Sequence, residues 1–240
     1  MVIFPLIATI LAWGCCFVVA FDHARRPKPA GAAWTVAFGI FGAATLLEVV
    51  GTIGVWTPLL ARAYYVLGAT LVVGYLALGQ LYLLIPRAWA DRIAGSIIVL
   101  SALAVSLVSN TAIGPNVADD GWDAIERSAG LTALTVSFNA IGTLVIVGGC
   151  IYSALSFWRR GVMRNRMIGC LLIAAGTLTV ASGGTLTRLG SHQYPYIAMS
   201  VGIALIFSGY MSARRPNEVV QRSAILTRQD RDDAVAGASG

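Results

Sequence analysis

The chain has 240 residues, of which 57% are hydrophobic and 12% charged, and its mean hydropathy is +0.76. Soluble domains carry about 25% charged residues, so this composition excludes an ordinary soluble fold. The net charge of +6 does not describe a nucleic-acid surface, because the basic residues sit in short clusters between apolar stretches, as they do in loops that face a cytoplasm.

A membrane helix needs roughly 20 apolar residues. Seven stretches meet that length, at about 2–21, 33–55, 60–85, 94–113, 131–157, 167–187 and 195–212. The expected fold is therefore all-α, an integral membrane seven-helix bundle over residues 1–212. The first stretch lacks a basic leader and is long enough to stay in the membrane, so no cleaved signal is expected. Loop charge sets the orientation. Arg25, Arg26 and Lys28 follow the first span, Arg87 and Arg92 the third, Arg159, Arg160, Arg164 and Arg166 the fifth, and Arg214 and Arg215 the seventh. These loops share one side, which the positive-inside rule makes cytoplasmic. The opposite side carries the acidic 114–130 loop with Asp119, Asp120, Asp123 and Glu126. The amino end is expected outside and the carboxyl end inside. Residues 213–240 are polar, without apolar period, and read as a disordered cytosolic tail.

The first span is used twice. Residues 9–26 (TILAWGCCFVVAFDHARR) align with 143–160 (TLVIVGGCIYSALSFWRR) at a constant offset, which pairs Thr9 with Thr143, Gly14 with Gly148, Cys16 with Cys150, Ala20 with Ala154 and Arg25-Arg26 with Arg159-Arg160. Thr45 and Gly51 align with Thr177 and Gly183, and Tyr64 and Gly79 with Tyr194 and Gly209, with small register changes in the loops. Helices 1–3 thus read as repeated in helices 5–7 in the same orientation, with helix 4 as linker. Such a parallel 3+1+3 repeat has its axis along the membrane normal.

Glu48 is the one acid well inside a predicted span, and a carboxylate there is a functional hypothesis by default. Its repeat counterpart is Val180. At the same outer level lie Arg62 and Tyr65 on helix 3, Asn110 on helix 4, Asn139 on helix 5, Thr179 and Arg188 on helix 6, and His192 before helix 7. These residues are expected to line a polar cavity centred on Glu48, with Arg62 or Arg188 as counter-charge. The competing reading is that the hydroxyls and amides bond neighbouring helices and Glu48 serves structure. Tryptophans and tyrosines near the span ends, Trp34 and Trp56 among them, read as interface belts. The four cysteines lie in apolar spans without metal spacing and read as packing residues. No metal, no cofactor and no catalytic set is expected.

Seven spans, an outside amino end and a parallel repeat resemble the architecture of the transporter, opsin and receptor group. An opsin holds retinal on a helix 7 lysine, and here the only lysine is Lys28 in a loop, so covalent retinal is not expected. Segments 64–84 (YYVLGATLVVGYLALGQLYLL), 142–160 (GTLVIVGGCIYSALSFWRR) and 174–190 (AAGTLTVASGGTLTRLG) are similar to an uncharacterised family of bacterial seven-transmembrane-helix proteins. That resemblance implies the fold and an inner-membrane location, and no established activity. The leading expectation is binding or transport of a small-molecule or lipid-like ligand around Glu48. The alternatives are a non-catalytic accessory subunit of a membrane complex or homo-oligomer, and a membrane sensor that reports to a separate partner. No nucleic-acid partner and no enzymatic activity is expected.

Overall fold

The computed structural model describes residues 3–159, 164–188 and 194–214, the side chains of 184–188 and 194–196 excepted. His192 and nearly all of the expected tail lie outside these residues. The described chain forms seven helices long and apolar enough to cross a membrane: α1 (Ile3–Arg25), α2 (Pro29–Ile53), α3 (Pro58–Leu84), α4 (Arg87–Ser109), α5 (Ala129–Arg159), α6 (Arg164–Arg188) and α7 (Tyr194–Arg214). Large apolar side chains cover the outside of the bundle, including Ile10, Phe17, Ile53, Val99 and Leu144. That inside-out surface is the one a bilayer selects, and the protein is a multi-pass membrane protein.

The helices overrun the apolar stretches that predict them. The turn between α1 and α2 shrinks to residues 26–28, and α4 starts at Arg87 rather than near 94. Proline sets both starts, at the first helical position of α2 and as the N-cap Pro86 of α4, where its missing N–H costs no helix bond. The polar first turn of α4 is kept helical by its own contacts. Arg87 pairs with Asp91 at 3.7 Å and the Arg92 guanidinium lies 4.8 Å from the Trp89 ring centroid. At the start of α3, Thr57 accepts a hydrogen bond from the Leu60 N–H at 3.3 Å.

Neighbouring helices follow the order α1–α2–α3–α5–α6–α7, and α7 returns to α1. Helix α4 stands outside this ring against α3 and α5. The α6–α7 pair packs backbone to backbone. A Cβ on Gly176 would lie 2.6 Å from the Gly202 carbonyl oxygen, and one on Gly169 would lie 2.6 Å from that of Gly209. Two glycine pairs, spaced by the same interval on both helices, let these helices approach closely, the usual source of helix association where lipid removes the hydrophobic drive. The α7–α1 seam is held at both ends. Ser200 Oγ donates to the Phe4 carbonyl at 2.7 Å, and Asp22 accepts from Tyr210 Oη at 2.7 Å and Arg214 Nη2 at 2.6 Å.

The 114–130 region, expected as a loop, is a folded cap. Ile113 and Ile125 form an antiparallel bridge, and Gly114 N–H donates to the Ala124 carbonyl at 2.8 Å. Trp56 lies beneath it, buried among Tyr64, Tyr65, Ile125 and Leu131, with its ring 5.8 Å from that of Tyr64. Trp56 is thus a core residue of the acidic end rather than a belt residue. Trp34 likewise turns inward and meets Tyr210 edge-on at 5.9 Å, whereas Trp89 and Trp158 remain exposed.

The glycine contacts give a direct check on the fold. Gly176→Leu must drive α6 and α7 apart, and overpacking of this kind costs about 1–3 kcal/mol. Gly148→Leu is the control, because no atom lies within 4 Å of a Cβ built there. Thermal unfolding of the detergent-solubilised variants should show a clear loss for Gly176→Leu and little change for Gly148→Leu.

Candidate functional site

Glu48 lies on the inward face of α2, only 2% exposed, with Thr45 one turn before it fully buried. Neither side chain faces lipid. Thr45 Oγ1 donates to the Phe41 carbonyl at 3.1 Å, and Thr52 Oγ1 donates to the Glu48 carbonyl at 2.7 Å. Both hydroxyls are satisfied inside their own helix, which a buried threonine does when no other acceptor is offered. Ala44, one turn before Glu48, packs against α3, where a Cβ on Gly68 would lie 3.2 Å from it.

Gly68 belongs to an irregular part of α3. Residues Tyr65–Leu71 form a π segment, whose wider turn shifts carbonyls off the regular helical ladder. In lipid those carbonyls need partners from the protein. Asn139 on α5 supplies one: its Nδ2 donates to the Ala69 carbonyl at 2.7 Å and to its own helix's Thr135 carbonyl at 2.9 Å. Thr70 Oγ1 donates to the Tyr65 carbonyl at 3.3 Å and sits 3.2 Å from Thr135 Oγ1. Tyr65 begins the π segment and is buried in the cap core, with the Arg127 guanidinium 5.9 Å from its ring centroid. The structure therefore brings Tyr65 and Asn139 to one place, the α3–α5 stitch.

Arg62 serves the cap. Its Nη2 donates to the Thr111 carbonyl at 2.9 Å, tying the start of α3 to the chain leaving α4, and its Nε is buried without a hydrogen-bond partner among the described residues. Asn110 and Thr179 are satisfied within their own helices. Asn110 Nδ2 donates to the Ser106 carbonyl at 2.8 Å, and Thr179 Oγ1 donates to the Ala175 carbonyl at 2.9 Å. Asn110 is exposed and Thr179 half-buried, and each bonds only within its own helix rather than to Glu48. Arg188 ends α6, but its side chain lies outside the described residues, as does His192.

A polar feature that sequence reasoning missed lies nearer the basic end, inside the ring. A cavity of about 20 Å³ is bounded by Trp34 and Phe38 of α2, Gln80 of α3, Thr177 of α6, and Ile206 and Tyr210 of α7. That volume suits about one water molecule. Trp34 Nε1 is buried with no acceptor among the described residues, and the Gln80 side chain is only 4% exposed. The indole lies across Gly79, where a Cβ would fall 1.5 Å from the Trp34 ring. The signal that could have found this site was Gln80, an amide within an apolar run, together with a glycine beside it.

Among the described residues, no three His, Cys, Asp or Glu side chains gather as a metal site, and the four cysteines are free thiols. Comparison of the chain with protein-family profiles, with curated proteins and with solved structures returns no match.

Asn139→Leu preserves bulk but leaves the Ala69 carbonyl without its donor, which costs about 1–3 kcal/mol when the group is buried. Asn110→Leu removes only a surface bond within one helix and should stay within about 0.5 kcal/mol. Unfolding of the two variants side by side separates these effects. Equal stability would show that the π segment does not depend on Asn139.

Proposed function

We propose that the chain is a membrane-embedded binding or transport protein for a small polar or lipid-like ligand, with Glu48 as its polar anchor. The observation that carries this reading is the placement of Glu48. A carboxylate in the membrane interior costs several kcal/mol unless it is protonated, paired or wetted, and such groups mark ion and substrate pathways. Here the side chain is 2% exposed within the bundle, away from the lipid-facing surface.

The same reading makes the bundle two like-oriented units, α1–α3 and α5–α7, with α4 as the link. The ring order supports it. Contacts α1–α2 and α2–α3 are mirrored by α5–α6 and α6–α7, and the two seams are α3–α5 and α7–α1. Matched residues also look the same way. Cys16 Sγ lies 3.5 Å from the Thr35 carbonyl on α2, while Cys150 sits in a core cluster against which Cys170 of α6 packs. Gly79 is covered by Trp34 of α2, and Gly209 meets Gly169 of α6. Transporter sites lie where such repeats meet, and the cavity at Trp34 and Gln80 draws its walls from both units. In this reading the arginine-rich loops lie in the cytoplasm of a bacterial inner membrane.

A second reading, a subunit of a homo-oligomer or larger membrane complex, is favoured by α4. It stands outside the ring with Ile98, Val99, Leu103 and Val105 exposed. Native mass spectrometry of the full chain distinguishes a monomer from a defined assembly.

The functional test uses proteoliposomes of the full chain with an internal pH dye. A panel of cationic amines, amino acids and sugars is added outside. A solute that couples to proton movement through Glu48 should lose at least about tenfold of its flux in Glu48→Gln, the change that about 1.4 kcal/mol in a barrier produces. Solute flux that is unchanged in a folded Glu48→Gln variant removes Glu48 from the pathway.

A further inference from the structure

At the basic end, far along α2 from Glu48, a groove of about 460 Å³ runs between the 26–28 turn, the first turns of α2, the last turns of α3 and the start of α4. Its wall is aliphatic. Ala33, Val36 and Leu78 line it, and Val36 is half exposed on the lipid-facing side. Its rim is cationic, with Lys28 and Arg87, and the His23 ring lies beside them. The acid in the lining is Asp91, and it is already engaged: it accepts from Tyr82 Oη at 2.8 Å and pairs with Arg87 at 3.7 Å. Lys28 makes no ion pair among the described residues, so the rim keeps a cationic excess. His23 Nδ1 accepts the Lys28 backbone N–H at 3.3 Å, which leaves the ring's proton on Nε2 as a further donor.

Two long helices also start here. Neither Lys28 at the head of α2 nor Pro86 at the head of α4 makes a side-chain cap, so the positive ends of both helix dipoles lie at the groove. Aliphatic wall and cationic rim are arranged in the order in which a phospholipid presents acyl chain and phosphate. A soluble anion would use the rim alone, and a zwitterionic headgroup would bring its own cation against Lys28 and Arg87. Basic pockets between helices at this level are suited to anionic headgroups.

We propose that this groove binds the phosphate headgroup of an anionic phospholipid from the leaflet on the basic side, with an acyl chain laid along Ala33, Val36 and Leu78. The test is native mass spectrometry of the full-length protein in detergent, titrated with phosphatidylglycerol or phosphatidylcholine. The wild type should retain phosphatidylglycerol in clear preference to phosphatidylcholine. Lys28→Gln combined with Arg87→Gln should lower that retention by about tenfold or more, at roughly 1 kcal/mol per basic residue near a headgroup. Arg92→Gln removes a cation from the same end, but one stacked on Trp89 outside the groove, and should leave retention unchanged. Excess inorganic phosphate should not displace the lipid. Equal retention of the two lipids, full retention by the double variant, or an equal loss in Arg92→Gln would overturn the proposal. Displacement by inorganic phosphate would also overturn it, by showing a site for a free anion.

Discussion

A bilayer offers no hydrogen bonds, and the interior of this protein is arranged around that fact. Every polar group within the spans must find its partner inside the chain. Most threonines solve this locally, by donating to a carbonyl one turn back, as Thr9, Thr45, Thr52 and Thr177 do. A hydroxyl bonded in this way asks nothing of a neighbouring helix and nothing of a ligand. The place where the local solution fails is the π segment of α3, and there the chain brings in Thr70, Thr135 and Asn139 from two helices. At that point the polar residues that join α3 to α5 follow from the backbone irregularity they repair, whereas the α7–α1 seam is joined by Ser200 and Asp22 at its ends.

Close packing is divided between the two sides of the ring in different ways. On the α6–α7 side, glycine faces glycine and the carbonyls themselves are in contact range. On the α2–α3 side, large rings fill the space over small residues: Trp34 over Gly79 and Trp56 over Gly51. The α7–α1 seam then needs less packing area, because polar bonds close it at its ends. Asp22 takes two donors from α7 at the basic end. These are partly exposed groups, and an exposed ion pair alone contributes little. Their value lies in position, since they fix the last turns of the first and last helices against each other.

The number and rough extent of the helices were legible in the sequence, because an apolar run of about 20 residues is an unambiguous signal in a chain with so few charges. Their ends were less so. Asp22 and Arg87 look like loop residues by polarity, yet each sits in a helix, because a partner or a proline start holds the turn. Which face of each helix points inward was not legible. A membrane helix is apolar all round, so the amphipathic stripe that orients a soluble helix is missing. Thr179 was expected to line a cavity for being polar, but it is only half-buried and its hydroxyl is spent on the Ala175 carbonyl of its own helix. Asn139 was expected to line a cavity, but nothing in a linear sequence marks a π turn on another helix as its partner. Gly202 and Gly209 were legible in principle, because their spacing repeats that of Gly169 and Gly176 on the preceding helix.

The two proposed units differ where function would be placed. On the two-unit reading Glu48 corresponds to Val180, and in the structure Val180 packs into the gap left by Gly202, where a Cβ would lie 2.4 Å from its methyl group. The residue of α3 that corresponds to Gly202 is Val72, buried with its own side chain in the core. A valine at that place fills the gap that Gly202 leaves open. Near Glu48 the α2–α3 pair instead meets at Ala44 and Gly68, and Gly68 lies inside the π segment. A wider turn in α3 and a buried carboxylate in α2 thus occur together, in one unit and at one level of the membrane. Packing alone accounts for the α6–α7 version, which needs neither feature. On the two-unit reading the α2–α3 version departs from it by an irregular helix and an acidic group, two costs that packing does not require.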